Sequence, residues 1–375
     1  MNKLICLISL LLLSIIIEAS PPSLIYDEEG RELAKTAVHD IYNYDYEAAD
    51  KSIAQLEEKW SEHPGYTMLH VLKFHAKSLY TFEKEEKAPE YLELLKKAIK
   101  QSEEWVGATD DEPEAIFFAL ISHAYMALYY SESKRLMKAV DQSKKAYKFM
   151  KKGFDLKEEY AEFYLTTGLY NFYREQYPET RPAVKSVLWF FASGDKEKGL
   201  EYLEESVEKS VFTKPEALTY LNHIYLKYLY DPDKAAKYGK MMHEEFPGNT
   251  LFLSKYTEAL VLKGDFETAS DGINKLLVQD NEYFQMTGFI FKAYEEEHVG
   301  DTEKAYNLYK KAVSMCERDI TLTYDYLGMA YAGMARIADQ RGDKEKAMKY
   351  YELCEEHSEY ASLQEEATTY LKENK

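Results

Sequence analysis

The chain has 375 residues, of which 46% are apolar, while only 16 are Gly and 10 are Pro. So much apolar sequence excludes global disorder, and so few turn-forming residues exclude a turn-dense all-β fold. The formal net charge of −19 argues against a broad phosphate-binding face, and therefore against nucleic acid as a partner.

The start of the chain, residues 1–19, predicts a signal peptide. A weakly basic start precedes an uncharged apolar run over residues 4–17, and Ile17 and Ala19 suit cleavage before Ser20. The run is shorter than the roughly 20 residues that span a bilayer. We therefore expect an exported chain, periplasmic in a bacterium or secreted, with no stable membrane insertion after cleavage.

The pattern over residues 20–157 predicts degenerate helical repeats. Apolar residues recur at helical spacing over residues 116–130 and 140–150, which predicts two helices that pack as a pair. Near the start, Tyr44 and Asp45 are followed by a small residue four positions after the Asp. The same arrangement returns later in the chain in a more regular form.

The centre of the chain, residues 158–194, is rich in aromatic residues. An aromatic helix is predicted over residues 160–173, followed by a turn over residues 174–182 that contains Arg174 and Arg181. A turn restricted by two prolines would let both arginines bind an acidic group or dock a partner. The alternative is a structural connector whose arginines pair with neighbouring glutamates.

Residues 195–357 contain the clearest repeats. Four Gly-Asp pairs are each followed, four positions after the Asp, by a small residue. We expect the Gly to end one helix in a left-handed conformation, the Asp to cap the next, and the small residue to permit close packing. The last unit requires a long first helix over residues 321–340, and residues 358–375 predict a capping helix. The pairs are Gly194-Asp195, Gly264-Asp265, Gly300-Asp301 and Gly342-Asp343.

Helix-turn-helix units of about 34 residues resemble the tetratricopeptide repeat. Ala305 with Tyr309, and Ala347 with Tyr351, match its A-x3-F/Y second-helix signature. Residues 168–200 are also similar to the core of the inclusion-body clearance family, whose mitochondrial and lipid-droplet-associated members are tetratricopeptide-like. The resemblance implies an all-α, right-handed superhelical solenoid of about seven helical hairpins, with a concave groove lined by the first helices.

The register of the small residues selects the positions expected to face that groove. Tyr supplies contact area and a hydrogen bond at small entropic cost, which suits peptide recognition. The alternative for any single Tyr is packing between repeats. Together with the two arginines of the central turn, the candidate protein-binding residues are Tyr220, Ile224, Lys227, Glu258, Ile290, Tyr294, Arg336, Arg174 and Arg181.

Motifs for catalysis and metal binding are weak. The nine His are scattered, and neither H-E-x-x-H nor C-x-x-C occurs. Cys354 and His357 supply two metal ligands on one helix face, which is too few for a site. We expect no enzymatic activity, no cofactor and no metal. Cys316 and Cys354 are either packed thiols or partners in a disulfide between repeats.

Two functional hypotheses follow. The first is an exported, non-enzymatic scaffold that binds a protein or peptide segment in its groove. The second is a small-molecule carrier or substrate-binding subunit with a pocket in the aromatic segment, residues 160–191. A scaffold should expose Tyr220, Tyr294 and Arg336 on one concave side. A carrier should enclose a cavity walled by Phe163, Tyr170, Tyr177 and Trp189.

Overall fold

The computed structural model describes residues 21–77, 89–109, 112–180 and 192–374. These residues form eighteen helices and no strand, so the all-α class is confirmed for this part of the chain. Within it, no helix combines the length and apolar character needed to cross a bilayer. The predicted signal peptide, together with Arg181 and Trp189, lies outside the described residues.

Short turns join the helices. In chain order they are α1 (Glu28–Tyr42), α2 (Tyr46–Ala54), α3 (Glu57–Trp60), α4 (Pro64–Lys77), α5 (Pro89–Ala108), α6 (Pro113–Glu132), α7 (Leu136–Leu156), α8 (Phe163–Thr180), α9 (Lys196–Lys209), α10 (Lys214–Lys227), α11 (Pro232–Glu245), α12 (Thr250–Lys263), α13 (Phe266–Leu277), α14 (Glu282–His298), α15 (Thr302–Cys316), α16 (Ile320–Gln340), α17 (Lys344–His357) and α18 (Ala361–Asn374).

The helices stack as hairpins in a tetratricopeptide-like array. Consecutive helices pack against each other, and the first helices of successive hairpins also touch: α10 with α12, α12 with α14, and α14 with α16. First helices therefore form an inner layer and second helices an outer one. Over the described residues there are eight such hairpins followed by α18, with the short helix α3 between the first two hairpins; the predicted number was about seven.

Three of the four Gly-Asp junctions have the predicted geometry. Each following Asp caps the next helix; at Asp265, for example, a side-chain oxygen accepts a hydrogen bond from the backbone N–H of Thr268 at 3.2 Å. Such a cap stabilises a helix by about 1 kcal/mol. The left-handed glycines are Gly264 (φ +81°), Gly300 (φ +88°) and Gly342 (φ +78°).

The remaining junctions depart from the prediction. Gly194 is not left-handed; a Cβ there would lie 2.3 Å from the backbone oxygen of Asn171, so its small size permits a close approach to α8. Tyr44 (φ +60°) and Tyr230 (φ +47°) instead adopt the left-handed conformation where Gly is missing. This costs a non-Gly residue about 1–2 kcal/mol. The Asp cap persists without Gly, as Asp231 shows.

The prediction of a turn over residues 174–182 is wrong for residues 174–180, the part of this segment that the structure describes. Helix α8 continues through Thr180, with Pro178 inside it. A proline removes one backbone hydrogen bond, and here it does so close to the end of the helix. Tyr173 and Tyr177 stack one turn apart with ring centroids 5.0 Å apart, which supports the helical conformation. Arg174 is therefore presented from a helix.

Two clusters of buried apolar residues meet at α8. Phe163 belongs to the amino-terminal cluster, whereas Leu165 and Phe172 belong to the carboxyl-terminal one. Phe212, before α10, reaches back into the amino-terminal cluster. The meeting point lies within the predicted central segment, whose status as a separate domain stays a prediction.

The array also closes on itself at long range. Tyr42, at the end of α1, stacks on Phe252 of α12 with ring centroids 6.3 Å apart. The side-chain amide of Asn249 donates to the backbone oxygen of Tyr42 at 2.6 Å, and the N–H of Gly248 donates to Asn43 Oδ1 at 2.8 Å. The helices are thus wound tightly enough for the first hairpin to contact the turn between α11 and α12.

Candidate ligand-binding cavity

The inner surface that was expected to form an open groove is largely filled by the chain itself. The side chains of Ile224, Glu258 and Ile290 are 0% exposed. The prediction that these three residues face an accessible groove is therefore wrong. The physical reason is the tight winding of the array, which brings distant first helices into contact along this surface.

Lys227 shows how the inner surface is closed. Its Nζ lies 2.8 Å from Asp325 Oδ2 and 3.1 Å from Glu359 Oε2, and so joins α10 to α16 and to the turn before α18. The backbone N–H of Glu359 donates to Asp325 Oδ1 at 2.8 Å. A nearly buried ion pair gains stability only when further hydrogen bonds satisfy its members, and this arrangement supplies one.

Glu258 anchors the same turn from α12. Its carboxylate accepts a hydrogen bond from Tyr326 at 2.8 Å and lies 2.9 Å from Lys255 Nζ. The hydroxyl of Tyr360 also donates to this carboxylate. Because Tyr360 is itself buried, the turn before α18 occupies the inner surface rather than lying outside it.

Tyr294 and Arg336 are engaged within the chain rather than presented on an open face. Arg336 forms two hydrogen bonds with Glu297, at 2.6 and 3.0 Å, and two with Glu366, at 3.1 and 3.2 Å. Its guanidinium carbon lies 5.1 Å from the ring centroid of Tyr294. Glu366 belongs to α18, so the predicted capping helix is fixed to the inner layer by this cluster.

An open cavity of about 650 Å³ lies beside the filled surface, where the two apolar clusters meet. Its walls come from α7, α8, α10 and the turn before α18. Ligand pockets of this size commonly form at such boundaries between cores. Six of the residues that line it are tyrosines: Tyr147, Tyr170, Tyr173, Tyr177, Tyr220 and Tyr228.

Tyr173 is the centre of this aromatic wall. Its ring is stacked on Tyr177 and meets Tyr220 and Tyr228 edge-on, with centroids 6.3 and 5.9 Å away. Burial raises the pKa of Tyr173, so its hydroxyl stays protonated. Tyr177 and Tyr220 are 39% and 36% exposed and form the mouth of the cavity.

The polar groups of the cavity carry little uncompensated charge. The pKa of His223 is lowered to about 3, mainly by burial and to a smaller extent by the positive charges of Lys227 and Lys255. This imidazole is therefore neutral at physiological pH. Its ring meets Tyr228 edge-on with centroids 5.7 Å apart. Lys227 is paired with two carboxylates, which leaves that cluster with one net negative charge. Arg174 NH1 lies 3.6 Å from Glu175 Oε1.

Close packing of α8 on α9 holds the wall in place. A Cβ on Gly199 would lie 2.7 Å from the backbone nitrogen of Phe172, and one on Gly168 would lie 2.9 Å from the backbone oxygen of Gly199. The small residue predicted at position 199 is therefore required by a contact between helices. Tyr170, also on α8, donates its hydroxyl proton to the backbone oxygen of Ala192 at 2.7 Å.

The structure brings together residues from both functional hypotheses. Tyr220, Lys227 and Arg174, predicted for protein binding, line the cavity with Tyr170 and Tyr177 of the predicted carrier pocket. Phe163 does not, because it is 0% exposed within the amino-terminal cluster.

Sequence reasoning missed several lining residues, including His223 and Glu359. The helical spacing of Tyr220, His223 and Lys227 places them on one face of α10 and would have found His223. Nothing in the sequence pairs Glu359 with α10, because the contact depends on the winding of the whole array.

The two cysteines beyond the predicted signal peptide are buried free thiols. Cys316 Sγ donates to Met286 Sδ at 3.5 Å, and Cys354 Sγ lies 4.0 Å from the backbone oxygen of Leu363. Burial raises the pKa of both thiols to about 12. Among the described residues, no group of three or more His, Cys, Asp or Glu side chains is placed to hold a metal.

No protein-family model matches the chain, and no curated protein sequence matches it. Among solved structures, yeast Tom70 is similar at 12% identity and a TM-score of 0.36, over 92% of this chain and 80% of that one. A human IFIT1 dimer with PPP-AAAA matches at 13% identity and a TM-score of 0.38, over 83% and 68% of the two chains.

The TPR domain of P58(IPK) matches at 14% identity and a TM-score of 0.24, over 92% of this chain and 98% of that one. The tetratricopeptide-like fold rests on the stacked hairpins of this chain.

Proposed function

We propose that the chain is a non-enzymatic binding protein that holds a small organic ligand in the tyrosine-lined cavity. The observation that supports this most strongly is the contrast between two surfaces. The inner positions expected to bind an extended peptide are filled by the chain's own side chains. The cavity of about 650 Å³ beside them is open and has the size of a small-molecule site.

The lining favours a largely apolar ligand with a few hydrogen-bonding groups. Tyrosine rings offer flat apolar faces, and their hydroxyls donate and accept hydrogen bonds. Neutral His223 adds a further donor and acceptor. A multiply charged anion fits poorly, because Lys227 is already paired with both Asp325 and Glu359.

Binding of a peptide in the concave groove would require a conformational change. The turn before α18 would have to leave the inner surface, which breaks the contact of Glu359 with Lys227 and that of Tyr360 with Glu258. The exposed rings of Tyr177 and Tyr220 offer a route into the cavity that needs no such change. We therefore prefer the carrier hypothesis to the groove scaffold.

The proposed setting is outside the cytoplasm, periplasmic in a bacterium or secreted. The proposal is supported by the apolar run and small residues within residues 1–19. If it is correct, the mature protein begins at Ser20, which intact mass measurement of protein from its own cells would show. A mature chain that retains residues 1–19 would contradict it.

A fluorescent probe tests the cavity without knowledge of the natural ligand. We expect 1-anilinonaphthalene-8-sulfonate, an aromatic monoanion, to bind the wild-type protein with increased fluorescence. Thr166, which lines the cavity, is replaced by Trp to fill it. The matched control is Thr36→Trp on the exposed face of α1, since both Thr hydroxyls donate to a backbone oxygen of their own helix.

We expect Thr166→Trp to lower the affinity for the probe at least tenfold, a loss of about 1.4 kcal/mol, while Thr36→Trp leaves it unchanged. Equal binding by all three proteins would place the probe elsewhere and would contradict the proposal. Circular dichroism of each variant shows whether the helical fold is retained.

A further inference from the structure

Helix α7 carries a concentration of positive charge that the overall charge of −19 conceals. Residues 134–152 contain eight Lys or Arg and a single acidic residue, Asp141. A basic segment in an acidic chain is a local feature that the net charge does not describe. Its position on the folded molecule decides what it does.

The basic residues lie on the outward face of the helix. Ala139, Ala146, Phe149 and Gly153 form the buried face of α7. On the opposite face, Lys144, Lys148 and Lys151 are all exposed. Among the described residues, Lys144 and Lys148 form no ion pair, whereas Lys145, nearer the side of the helix, lies 3.4 Å from Glu103.

The same outward face continues into exposed aliphatic side chains at the start of the helix. Leu136 and Met137 are 66% and 76% exposed, and Val140 is 45% exposed. Met137 and Val140 lie in line with Lys144, Lys148 and Lys151 at helical spacing. At 1.5 Å per residue, this stripe is about 21 Å long. Large exposed apolar side chains grouped in this way mark an interaction surface.

We propose that the outward face of α7 docks the protein on an anionic lipid surface. Lysines would lie over the negatively charged headgroups, while Leu136, Met137 and Val140 enter the boundary with the acyl chains. An anionic bilayer suits both kinds of side chain, because binding at its surface gains from the burial of apolar area and from the attraction of basic residues to anionic headgroups. The helix remains packed on α6 through its buried face.

The side-chain chemistry favours lipid over nucleic acid. Single-stranded nucleic acid is bound by aromatic side chains on which bases stack, but the exposed apolar residues of this face are aliphatic. Seven of the eight basic residues in the segment are Lys, which acts as a compact point charge rather than as the planar fork that Arg offers to a phosphate. A diffuse anionic surface suits such lysines.

Vesicle flotation tests the proposal. The full chain is mixed with vesicles of phosphatidylcholine alone, or of phosphatidylcholine and phosphatidylglycerol in equal parts. We expect binding only to the second kind, and weaker binding as salt is added. Because each Lys near an anionic surface contributes about fivefold, Lys144→Gln with Lys148→Gln should weaken binding roughly 25-fold.

Two further variants separate charge from apolar insertion. Lys310→Gln with Lys349→Gln removes the same charge from exposed positions on α15 and α17 and should leave vesicle binding unchanged. Met137→Ser should weaken binding about fivefold by removing an apolar anchor. Equal binding to both kinds of vesicle, or an equal loss in the control pair, would overturn the proposal.

Two other results would assign the face to a different partner and overturn the proposal as well. One is tighter binding to a single-stranded oligonucleotide than to anionic vesicles, unaffected by Met137→Ser. The other is a wild-type dimer in sedimentation velocity that dissociates on Lys144→Gln with Lys148→Gln, which would make an acidic face of a second copy the partner.

Discussion

Glu114 illustrates a buried residue whose chemistry the sequence does not reveal. It is 0% exposed, and Oε1 accepts hydrogen bonds from the backbone N–H groups of Leu24 and Ile25 at 3.1 and 3.0 Å. The segment before α1 is thereby fixed to α6. Burial raises the pKa of Glu114 to about 7, against the lowering effect of these hydrogen bonds. The neighbouring His63 is neutral, because burial lowers its pKa to about 3.

The raised pKa predicts how stability depends on pH. Between the ordinary value of 4.5 and about 7, the folded chain binds more protons at Glu114 than the unfolded chain does. The contribution of this group to the free energy of unfolding therefore decreases as the pH rises through that window. Glu114→Gln removes the titration and keeps an oxygen for the two N–H groups. The free energy of unfolding of the variant, relative to that of the wild type, should therefore increase as the pH rises from 4.5 to 7.

Thermal unfolding at a series of pH values measures this difference. Glu47→Gln, at a position whose side chain is 87% exposed, removes a surface charge of the same sign as a control. A constant difference in melting temperature between Glu114→Gln and the wild type across the window would contradict the assignment. Glu114→Ala, which also removes the titration but leaves buried donors without an acceptor, should be less stable than Glu114→Gln by about 2–4 kcal/mol at every pH.

At the scale of the helix, contact between α8 and α9 leaves no room for a side chain at position 199. A Cβ there would lie 2.7 Å from the backbone nitrogen of Phe172, so the two helices would have to separate. We predict that Gly199→Ala destabilises the protein by about 2 kcal/mol. Gly107→Ala near the end of α5, where a Cβ would meet nothing within 4 Å, should be neutral or stabilise it by about 0.5 kcal/mol.

Urea denaturation of both variants gives the comparison. Because each change adds one methyl group to a helical Gly, the difference between them isolates the contact between helices from helix propensity. Similar free energies of unfolding for Gly199→Ala and Gly107→Ala would show that α8 and α9 separate at little cost. Lower probe affinity in Gly199→Ala alone is also expected, since α8 carries much of the cavity wall.

Helix positions were largely predictable because helical periodicity is a local property. The extended first helix expected over residues 321–340 is α16, Ile320–Gln340, and the pair expected at residues 116–130 and 140–150 is α6 and α7. The prediction of a turn over residues 174–182 failed. The rule that proline ends a helix did not hold here, because Pro178 lies in the last turn of α8, where the lost backbone hydrogen bond does not interrupt the rest of the helix.

At the scale of the whole molecule, Lys227 joins parts of the chain that are about a hundred residues apart. Its two carboxylate partners are only partly exposed, at 22% and 23%. Lys227→Met retains the apolar stem but leaves these carboxylates without their cation, and should destabilise the protein by about 2–4 kcal/mol. Lys234→Met, which breaks an exposed pair 3.9 Å apart with Asp231, should cost less than about 0.5 kcal/mol.

Chemical denaturation of the two lysine variants tests that closure. Limited proteolysis adds a local measurement, because loss of the Lys227 contacts should make the turn before α18 more susceptible to cleavage. If both variants were equally stable and equally resistant to proteolysis, closure of the inner surface would not depend on the ion pairs of Lys227.

The cavity could not be predicted from the sequence, because its walls come from segments that meet only through the winding of the array. Tyr170 and Tyr177 were identified from the aromatic segment alone. Tyr147 and Glu359 lie far from them in the chain, and no local pattern relates the four. The net charge was similarly uninformative about α7, since a sum over the chain does not show where its charges lie.

Native mass spectrometry of the protein purified from its own cells shows whether the tyrosine-lined cavity holds a small molecule. We expect one additional small-molecule mass on the wild type and on Thr36→Trp, and none on Thr166→Trp. Retention of the same mass by Thr166→Trp, or a wild-type protein that carries no small molecule, would contradict binding in the tyrosine-lined cavity.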